Sequence, residues 1–182
     1  MDPILTDLPH ALLGERVLLR PLRFGDGAAM WPAVEESREQ ISPWMPWVDK
    51  ARTANDQEVF ARRSAAQWLT REALMVGIWD RATGRYLGGS GLHRIDWAVP
   101  AFEIGYWLRT SAWGQGYVSE TVRVLCRFAF ETLHANRVEI RCDGGNERSL
   151  AVPRRLGFAQ EATLRNETRD SSDNLRALSF LR

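Results

Sequence analysis

The strongest structural signals of this chain lie in AFEIGYWLR (101–109), in the turn TSAWGQG (110–116) and in the long segment YVSETVRVLCRFAFETLH (117–134). In the first part, Phe102 and every second residue after it are apolar, which predicts a strand. The last part carries apolar residues on one face at helical spacing and predicts the clearest helix of the chain. RVEIRC (137–142) is predicted to form another strand. Residues 101–142 are therefore expected to form a strand-helix-strand crossover.

Outward from this crossover, the patterns predict a mixed α/β domain. Two helices are expected early in the chain, the first capped by Asp26 and the second by Asn55 and Asp56. Three strands in a meander, of which the last is 101–109, lead into the crossover, and a short helix from Asn146 follows it. The other predicted strands cover residues 16–22, 74–80, 85–95, 160–165 and 175–181.

Length, charge and the amino-terminal sequence limit the class of protein. The 182 residues fit a single domain over 1–182 with a full core. Because 24 Lys plus Arg face 23 Asp plus Glu, the net charge is +1, and no binding to nucleic acid or to a membrane through bulk charge is expected. Residues 1–20 lack the basic start and the unbroken apolar run of a signal peptide, and no stretch is long enough to span a membrane. We therefore expect a cytoplasmic protein.

The two cysteines predict neither a disulfide nor a metal site. Cys126 lies in the predicted long helix and Cys142 at the end of a predicted strand, with no CxxC pattern and no nearby histidine cluster. Both are expected to be reduced, buried thiols, and no metal is expected.

The turn between strand and helix is suited to bind a diphosphate. Gly114 and Gly116 let backbone N–H groups approach a ligand, and the amino terminus of a helix carries partial positive charge. A GxG pattern before a helix is also common as a plain tight turn, so the pattern alone leaves both readings open. The dinucleotide fingerprint GxGxxG is excluded because residue 119 is Ser, and the chain has no P-loop sequence.

Four motifs in a fixed order make the chain similar to one protein family. FEIGYWLR (102–109) is followed by WGQGYVSE (113–120), by Asn146 and Ser149 in an N-x-x-S pattern, and by RRLGF (154–158). This combination resembles the GNAT superfamily of acetyl-CoA-dependent N-acetyltransferases. The resemblance covers nearly the whole chain. It implies the GNAT fold, with a mostly antiparallel sheet of about seven strands, a parallel β-α-β core that binds the cofactor, and flanking helices.

The resemblance implies that acetyl-CoA is the cosubstrate and that no metal is needed. The pantetheine arm is expected to pair, like an additional strand, with backbone groups of Leu108 and Arg109. Asn146 is expected to hydrogen-bond the pantetheine amides. The diphosphate is expected to bind backbone N–H groups of the glycine turn and the first helical turn. These residues are Gly114, Gln115, Gly116, Tyr117, Val118 and Ser119.

Two positions depart from the family pattern. Ser111 stands three residues before the first glycine, where the superfamily usually has Gln or Arg, so a side-chain contact to phosphate is not expected there. Pro153 lies inside the helix that follows Asn146, where it removes one backbone N–H donor and is compatible with a kinked helix. The second departure leaves the placement of Ser149 open as well.

Acetyl transfer to an amine requires a base, a donor to the carbonyl oxygen that becomes negative, and a proton for the departing thiolate. Glu103 is the candidate base, acting directly or through water, and its alternative is a solvated carboxylate or an ion-pair partner. A backbone N–H near Leu108 is the candidate oxyanion donor. Ser149 is the candidate partner of the thiolate, and its alternative is a cap or a packing residue of its helix.

The acceptor side is predicted from aromatic residues and one histidine. SPWMPWVDK (42–50) has prolines and tryptophans three residues apart, which argues against regular structure and for a rigid aromatic loop. Trp44 and Trp47 line the acceptor cleft or cover the core, and the sequence leaves both readings open. His93 is a candidate to hydrogen-bond the acceptor, although a lone histidine is more often structural.

Within the superfamily, the start GERVLLRPL (14–22) and the PWMPW-like loop most resemble the ribosomal-protein N-terminal alanine or serine acetyltransferases. This implies direct transfer, in a ternary complex, to the α-amine of a ribosomal or other protein, and it is compatible with a homodimer. Two alternatives stay open because a shared fold does not determine the acceptor. One is acetylation of a small amine such as an antibiotic, a polyamine or an amino acid. The other is a non-catalytic acyl-CoA sensor.

Overall fold

A computed structural model describes residues 2–169 and 174–182, which form an eight-stranded sheet with helices on both faces. The strands are β1 (Leu12–Leu13), β2 (Val17–Pro21), β3 (Leu74–Asp80), β4 (Tyr86–Asp96), β5 (Ala101–Leu108), β6 (Arg137–Asp143), β7 (Gln160–Arg169) and β8 (Leu175–Leu181). The helices are α1 (Gly27–Ile41), α2 (Ala54–Thr70), α3 (Tyr117–Arg127) and α4 (Glu147–Arg155), and a π-helical turn (Phe128–Thr132) extends α3. None of these helices is long and apolar enough to cross a membrane.

The sheet is antiparallel except at its centre, where the predicted crossover is confirmed. Its order is β1-β2-β3-β4-β5-β6-β8-β7, and β5 pairs with β6 in parallel through α3. The pairing lasts for only three residues of each strand and ends at Glu103 with Glu139. Beyond that point β6 pairs with β8, while β5 continues beside β4. A gap therefore opens between residues 104–108 of β5 and 140–143 of β6, and we call this gap the wedge.

The two faces of β5 follow the alternation in its sequence. Phe102 and Ile104 are buried beneath α3, in the main core cluster that includes Val122 and Leu125. Full burial of each such side chain contributes about 1.5–3 kcal/mol to folding. Glu103 and the residues two and four positions after it lie on the opposite face, which α1 and α2 cover only in part. This leaves one half of that face open beside the wedge.

Of the two helix caps predicted near the amino terminus, Asp26 does lie at the N-cap position of α1, whereas the cap predicted for α2 is wrong. Asp26 does not cap α1 with its side chain, because its carboxylate accepts two hydrogen bonds of 2.7 Å from Arg20. Thr53 caps α2, since its hydroxyl oxygen accepts the N–H of Asp56 at 3.2 Å. The backbone of Thr53 is extended, as an N-cap residue requires, whereas Asn55 already lies inside the helix.

Candidate active site

The edge of β5 that faces the wedge carries unpaired backbone groups. Arg109 N–H donates to the carbonyl of Leu87 in β4 at 2.8 Å, and the groups of β5 point alternately to either side. The N–H groups of Tyr106 and Leu108 therefore point into the wedge. The carbonyl of Leu108 accepts the indole N–H of Trp113 at 2.9 Å. This edge is suited to pair with an extended ligand that carries amides.

Arg109 does not have the role expected from the sequence. Its N–H is bonded to Leu87, and its carbonyl accepts the N–H of Ala112 at 3.0 Å. Its buried guanidinium donates to the carboxylate of Glu36, with 2.8 Å for the Nε contact. Because all of these groups are occupied, the structure assigns Arg109 to holding α1 against the end of β5 and leaves Leu108 as the candidate for the wedge.

The glycine turn has the geometry of an anion site. Gly114 and Gly116 have φ values of +74° and +83°, in the left-handed region that favours glycine. Within the described part of the chain, the N–H groups of residues 114–119 have no hydrogen-bond acceptor. The first turn of α3 also adds the partial positive charge of a helix amino terminus. Binding of a diphosphate at this turn stays a prediction.

Arg16 and Glu120 fix this turn, and no sequence pattern predicts a role for either residue. The guanidinium of Arg16 donates to the carbonyl of Gln115 at 2.9 Å and to Glu120 at 3.1 Å. Glu120 also accepts the N–H groups of Arg16 and Val17, at 2.7 and 3.2 Å. The motif GERVLLRPL contains Arg16, but nothing in the motif indicates that this residue contacts a turn about a hundred residues later.

Arg155 is a second cation beside α3. Its Nη1 donates to the hydroxyl of Ser119 at 3.1 Å. Its neighbour Arg154 points elsewhere and is paired with Glu147 at 3.0 Å. Two guanidinium groups, those of Arg16 and Arg155, therefore flank the free N–H groups of the turn.

Glu103 lies at the apex of the wedge, where β5 and β6 separate. Its side chain is 10% exposed, and Oε2 lies 2.9 Å from Nε of Arg141 and 3.3 Å from Nε of Arg94. Burial raises the pKa of Glu103, and the two guanidinium groups oppose this only in part. A carboxylate with a raised pKa is the stronger base, and a base works best with a pKa near the operating pH. Glu103 is thus both an ion-pair partner and a group suited to accept a proton.

His93 lies beside Glu103 on the same face. Its Nε2 is 3.9 Å from Oε1 of Glu103. A Cβ at residue 105 would lie only 2.7 Å from this nitrogen, so Gly105 gives the imidazole its place over β5. Burial lowers the pKa of His93, and Arg94 and Arg141 lower it further. The imidazole is therefore neutral near pH 7 and faces the open half of the sheet.

Asn146 and Ser149 stand at the other wall of the wedge, at the start of α4. The side-chain oxygen of Asn146 caps the helix by accepting the N–H of Ser149 at 3.1 Å, so only its amide NH₂ remains for a ligand. The hydroxyl of Ser149 lies 3.3 Å from Sγ of Cys142 in β6. The helix runs without a break through Pro153, so the proline does not displace Ser149 from α4.

The aromatic loop reaches across the mouth of the wedge. It is not wholly irregular, because Pro46–Lys50 form a 3₁₀ helix. The ring of Trp47 packs on that of Trp107 in β5, with centroids 5.6 Å apart. The ring of Trp44 lies beneath Arg176 of β8 at 5.1 Å. The loop is anchored by the buried Val48, while Trp47 stays 39% exposed, so the loop both covers core and borders an open cleft.

Glu36 joins α1 to the segment that ends β5. Besides Arg109, its carboxylate accepts the N–H of Ser111 at 2.8 Å and the hydroxyl of Thr110 at 3.1 Å. The hydrogen bond from Arg109 lowers the pKa of Glu36 to about 2. No sequence signal identifies this pair, because Glu36 is 73 residues from Arg109.

Glu36→Gln is expected to lower the free energy of unfolding by about 2 kcal/mol at pH 7, because the buried Arg109 loses its anionic partner. The pKa of Glu36 is lower in the folded than in the unfolded chain, so its contribution is present above pH 4.5 and is lost as the pH falls toward 2. Urea unfolding at pH 7 and pH 3 measures both effects. The matched control is Glu35→Gln, whose exposed pair with Arg38 contributes less than about 0.5 kcal/mol. Equal losses for the two variants would contradict the assignment.

Comparison with known families matches residues 16–159 to the family described as acetyltransferase (GNAT) domain. Among curated proteins, the chain is similar to the putative ribosomal N-acetyltransferase YdaF of Bacillus subtilis. The two are 28% identical over 159 residues, which cover 85% of this chain and 84% of YdaF.

Two solved structures share the architecture described above. One is RimL, a ribosomal L7/L12 alpha-N-protein acetyltransferase in complex with coenzyme A, with a TM-score of 0.88 and 20% identity over 94% of this chain and 97% of RimL. The other is the microcin C7 self-immunity acetyltransferase MccE in complex with acetyl-CoA and AMP, with a TM-score of 0.86 and 20% identity over 92% of this chain and 91% of MccE. At this identity the likeness concerns the fold, and it confirms the predicted fold class.

Proposed function

This chain belongs to the GNAT acetyltransferase family and is an acetyl-CoA-dependent N-acetyltransferase, and from this premise we propose that its acceptor is the amino-terminal α-amine of a protein. The observation that carries the proposal for the site is the buried Glu103 at the apex of a wedge whose walls offer unpaired backbone groups. The acceptor class is supported by the similarity to YdaF, whose name describes a putative ribosomal N-acetyltransferase.

The described residues fit acetyl-CoA, which supplies the acetyl group in activated form as a thioester. The free N–H groups of residues 114–119 are suited to the diphosphate, with the guanidinium groups of Arg16 and Arg155 beside them. The N–H group of Leu108, and the amide of Asn146 opposite, are suited to the amides of the pantetheine arm.

If acetyl-CoA binds in this way, Leu108 is too far from Glu103 to be the donor to the oxyanion. A strand rises by roughly 3.3 Å per residue, so Leu108 lies roughly 16 Å from Glu103 along β5. The diphosphate turn follows directly after Leu108, and the arm would therefore run back along β5 towards the apex. We assign the carbonyl contact to the N–H of Tyr106, which lies nearer to Glu103 and beyond the residues that pair with β6.

Two side chains that border the wedge are proposed to move protons. Glu103 accepts a proton from the acceptor ammonium, directly or through one water molecule, so that a neutral amine attacks. Ser149 donates a hydrogen bond to the sulfur that leaves, and through this hydroxyl the sulfur receives the second proton, which the attacking nitrogen loses as the amide forms. Because the two groups stand at the apex and on the α4 wall, one proton is removed and the other is supplied from different sides of the reacting carbon.

The acceptor is proposed to enter over the open half of the sheet. His93 and Glu103 form the floor of this cleft, and Trp44 and Trp47 border it from the aromatic loop. An aromatic border suits the first residues of a peptide, since flat rings cover apolar side chains and an indole N–H binds a carbonyl. An open cleft also admits the rest of a polypeptide, which an enclosed pocket would exclude.

The test measures thiol release from acetyl-CoA with three classes of acceptor: peptides with a free amino-terminal Ala or Ser, the same peptides with a formylated amino terminus and an internal Lys, and small amines. We expect acetylation of the free peptides only, with mass spectrometry placing the acetyl group on the α-amine. Turnover of small amines alone would overturn the acceptor class and leave acetyl transfer intact. Tight binding of coenzyme A with no turnover would instead favour a sensor.

Arg16→Gln is expected to raise the KM for acetyl-CoA about five- to ten-fold with little change in kcat, because a cation and the bond that orients Gln115 are lost beside the diphosphate. The same variant should leave the KM for S-acetylpantetheine unchanged, because this donor has no diphosphate. Arg62→Gln removes an exposed cation on α2 and serves as the control. An equal rise with both donors would mean that Arg16 acts through the fold alone.

A further inference from the structure

Pro153 removes a hydrogen bond from the middle of α4. In an α-helix the carbonyl of residue 149 accepts the N–H of residue 153. Proline has no N–H, so the carbonyl of Ser149 lacks its helical donor. The helix nevertheless continues from Glu147 to Arg155. The carbonyl of Ser149 is part-buried, and a donor from outside the helix can satisfy it.

Tyr106 of β5 supplies that donor. Its hydroxyl donates to the carbonyl oxygen of Ser149 at 2.9 Å. The same hydroxyl lies 3.3 Å from Oγ of Ser149, where it accepts a hydrogen bond. Ser149 is thus held at its backbone and at its side chain by one group that crosses from β5 to α4.

The phenol is suited to a fixed and neutral role. Burial raises the pKa of Tyr106, and the nearby Cys142 raises it further. Ionisation of Tyr106 during the reaction is therefore unfavourable, and the group stays a hydrogen-bond donor rather than a source of protons. Its effect on chemistry has to pass through the group that it holds.

We propose that Tyr106 is a positioning residue for acetyl transfer, which replaces the backbone donor missing at Pro153 and holds Oγ of Ser149 at the wall of the wedge, where the hydroxyl proton turns from Tyr106 to the leaving sulfur. This inference rests on the proposed function, in which Ser149 hydrogen-bonds or protonates the leaving sulfur. It adds that a proline in one wall and a tyrosine in the other act as a pair.

The first test needs no cosubstrate and uses a double-mutant cycle in urea. Tyr106→Phe is expected to lower the folded-to-unfolded ratio about five-fold, the typical contribution of one intramolecular hydrogen bond. Pro153→Ala restores an N–H that donates to the carbonyl of Ser149. In the Pro153→Ala background, the loss caused by Tyr106→Phe should therefore be smaller. Identical losses in the two backgrounds would overturn the pairing of Tyr106 with Pro153.

The second test separates positioning from support of the fold. Tyr106→Phe is expected to lower kcat about five- to ten-fold and to leave the KM for acetyl-CoA within about two-fold, because only the position of a hydroxyl changes. In a Ser149→Ala background the same substitution should not lower kcat further, although its effect in urea persists. Tyr86→Phe removes another buried phenol hydroxyl, outside the wedge, and should leave kcat unchanged.

The outcomes distinguish this inference from the function on which it rests. If Ser149→Ala keeps full kcat, the role of Ser149 in the proposed function is wrong, and positioning of that role by Tyr106 fails with it. If Ser149→Ala loses activity while Tyr106→Phe does not, the proposed function stands and this inference is overturned. A loss from Tyr106→Phe that Pro153→Ala partly restores supports it.

Discussion

Glu103→Gln is expected to lower kcat by about a hundred-fold or more, which is the usual loss when a general base is removed. The substitution keeps the size of the side chain and its place between Arg94 and Arg141, but an amide does not accept a proton from an ammonium group. The KM for acetyl-CoA should change little, because Glu103 lies at the apex of the wedge and the diphosphate turn lies beyond its far end. Steady-state kinetics with a free amino-terminal peptide measures both values.

The pH profile tests the same assignment. The raised pKa of Glu103 means that the wild-type protein loses activity as the pH falls through that value, because the protonated carboxyl has no place for another proton. We call this loss of activity at low pH the acid limb of the profile. In Glu103→Gln the acid limb should be absent, and the residual rate should be low at every pH. Peptides whose α-amines differ in pKa separate the contribution of Glu103 from that of the acceptor. A fall in rate due to Glu103 occurs at the same pH with every peptide, whereas a fall due to the acceptor moves with the pKa of its α-amine.

Glu139→Gln is the matched control on the neighbouring strand. Burial raises the pKa of Glu139, but hydrogen bonds from Arg137 and Arg141 outweigh this and leave it lowered. Its charge raises the pKa of Glu103, so its removal should shift the acid limb to lower pH and leave the maximal rate nearly intact. If Glu139→Gln instead abolishes activity and Glu103→Gln does not, the base has been assigned to the wrong strand.

The crossover was predictable because local patterns determine it. Alternation in 101–109 and helical spacing in 117–134 specify the elements, and a short turn between a strand and a helix leaves few connections open. The place of Glu103 on the face opposite Phe102 followed from the same alternation. Its burial did not follow, because burial depends on Arg94, Arg141 and the neighbouring strands rather than on its own segment.

The contacts that shape the site could not be predicted, because they join distant segments. Arg109 was expected to bind the cosubstrate through its backbone, yet sheet pairing with β4 and a capping turn use both backbone groups. Its side chain meets Glu36 on a helix that the sequence places only by its periodicity. Likewise, Pro153 removes a donor from α4, and the hydroxyl that replaces it belongs to Tyr106, 43 residues before Ser149. A one-dimensional pattern contains no signal for such pairs.

Gly116→Ala is expected to raise the dissociation constant of coenzyme A about ten- to a hundred-fold, the equivalent of one hydrogen bond to a charged group at about 1.5–3 kcal/mol. The φ of Gly116 is +83°, and alanine in this region is strained by about 1–2 kcal/mol. An added Cβ would also lie 3.2 Å from Nη2 of Arg16, the residue that holds the turn. Relief of either strain rotates the N–H groups at the start of α3, which are the ones proposed to bind the diphosphate.

Gly25→Ala separates backbone strain from loss of the binding site. Gly25 has a φ of +90°, has open space where a Cβ would stand, and lies before α1, away from the glycine turn. Both variants should lose similar stability in urea, because both force alanine into the left-handed region. Only Gly116→Ala should weaken coenzyme A binding in calorimetric titration. Because the two variants share the strain but not the location, an equal loss of affinity in both would mean that the diphosphate does not bind at the turn before α3.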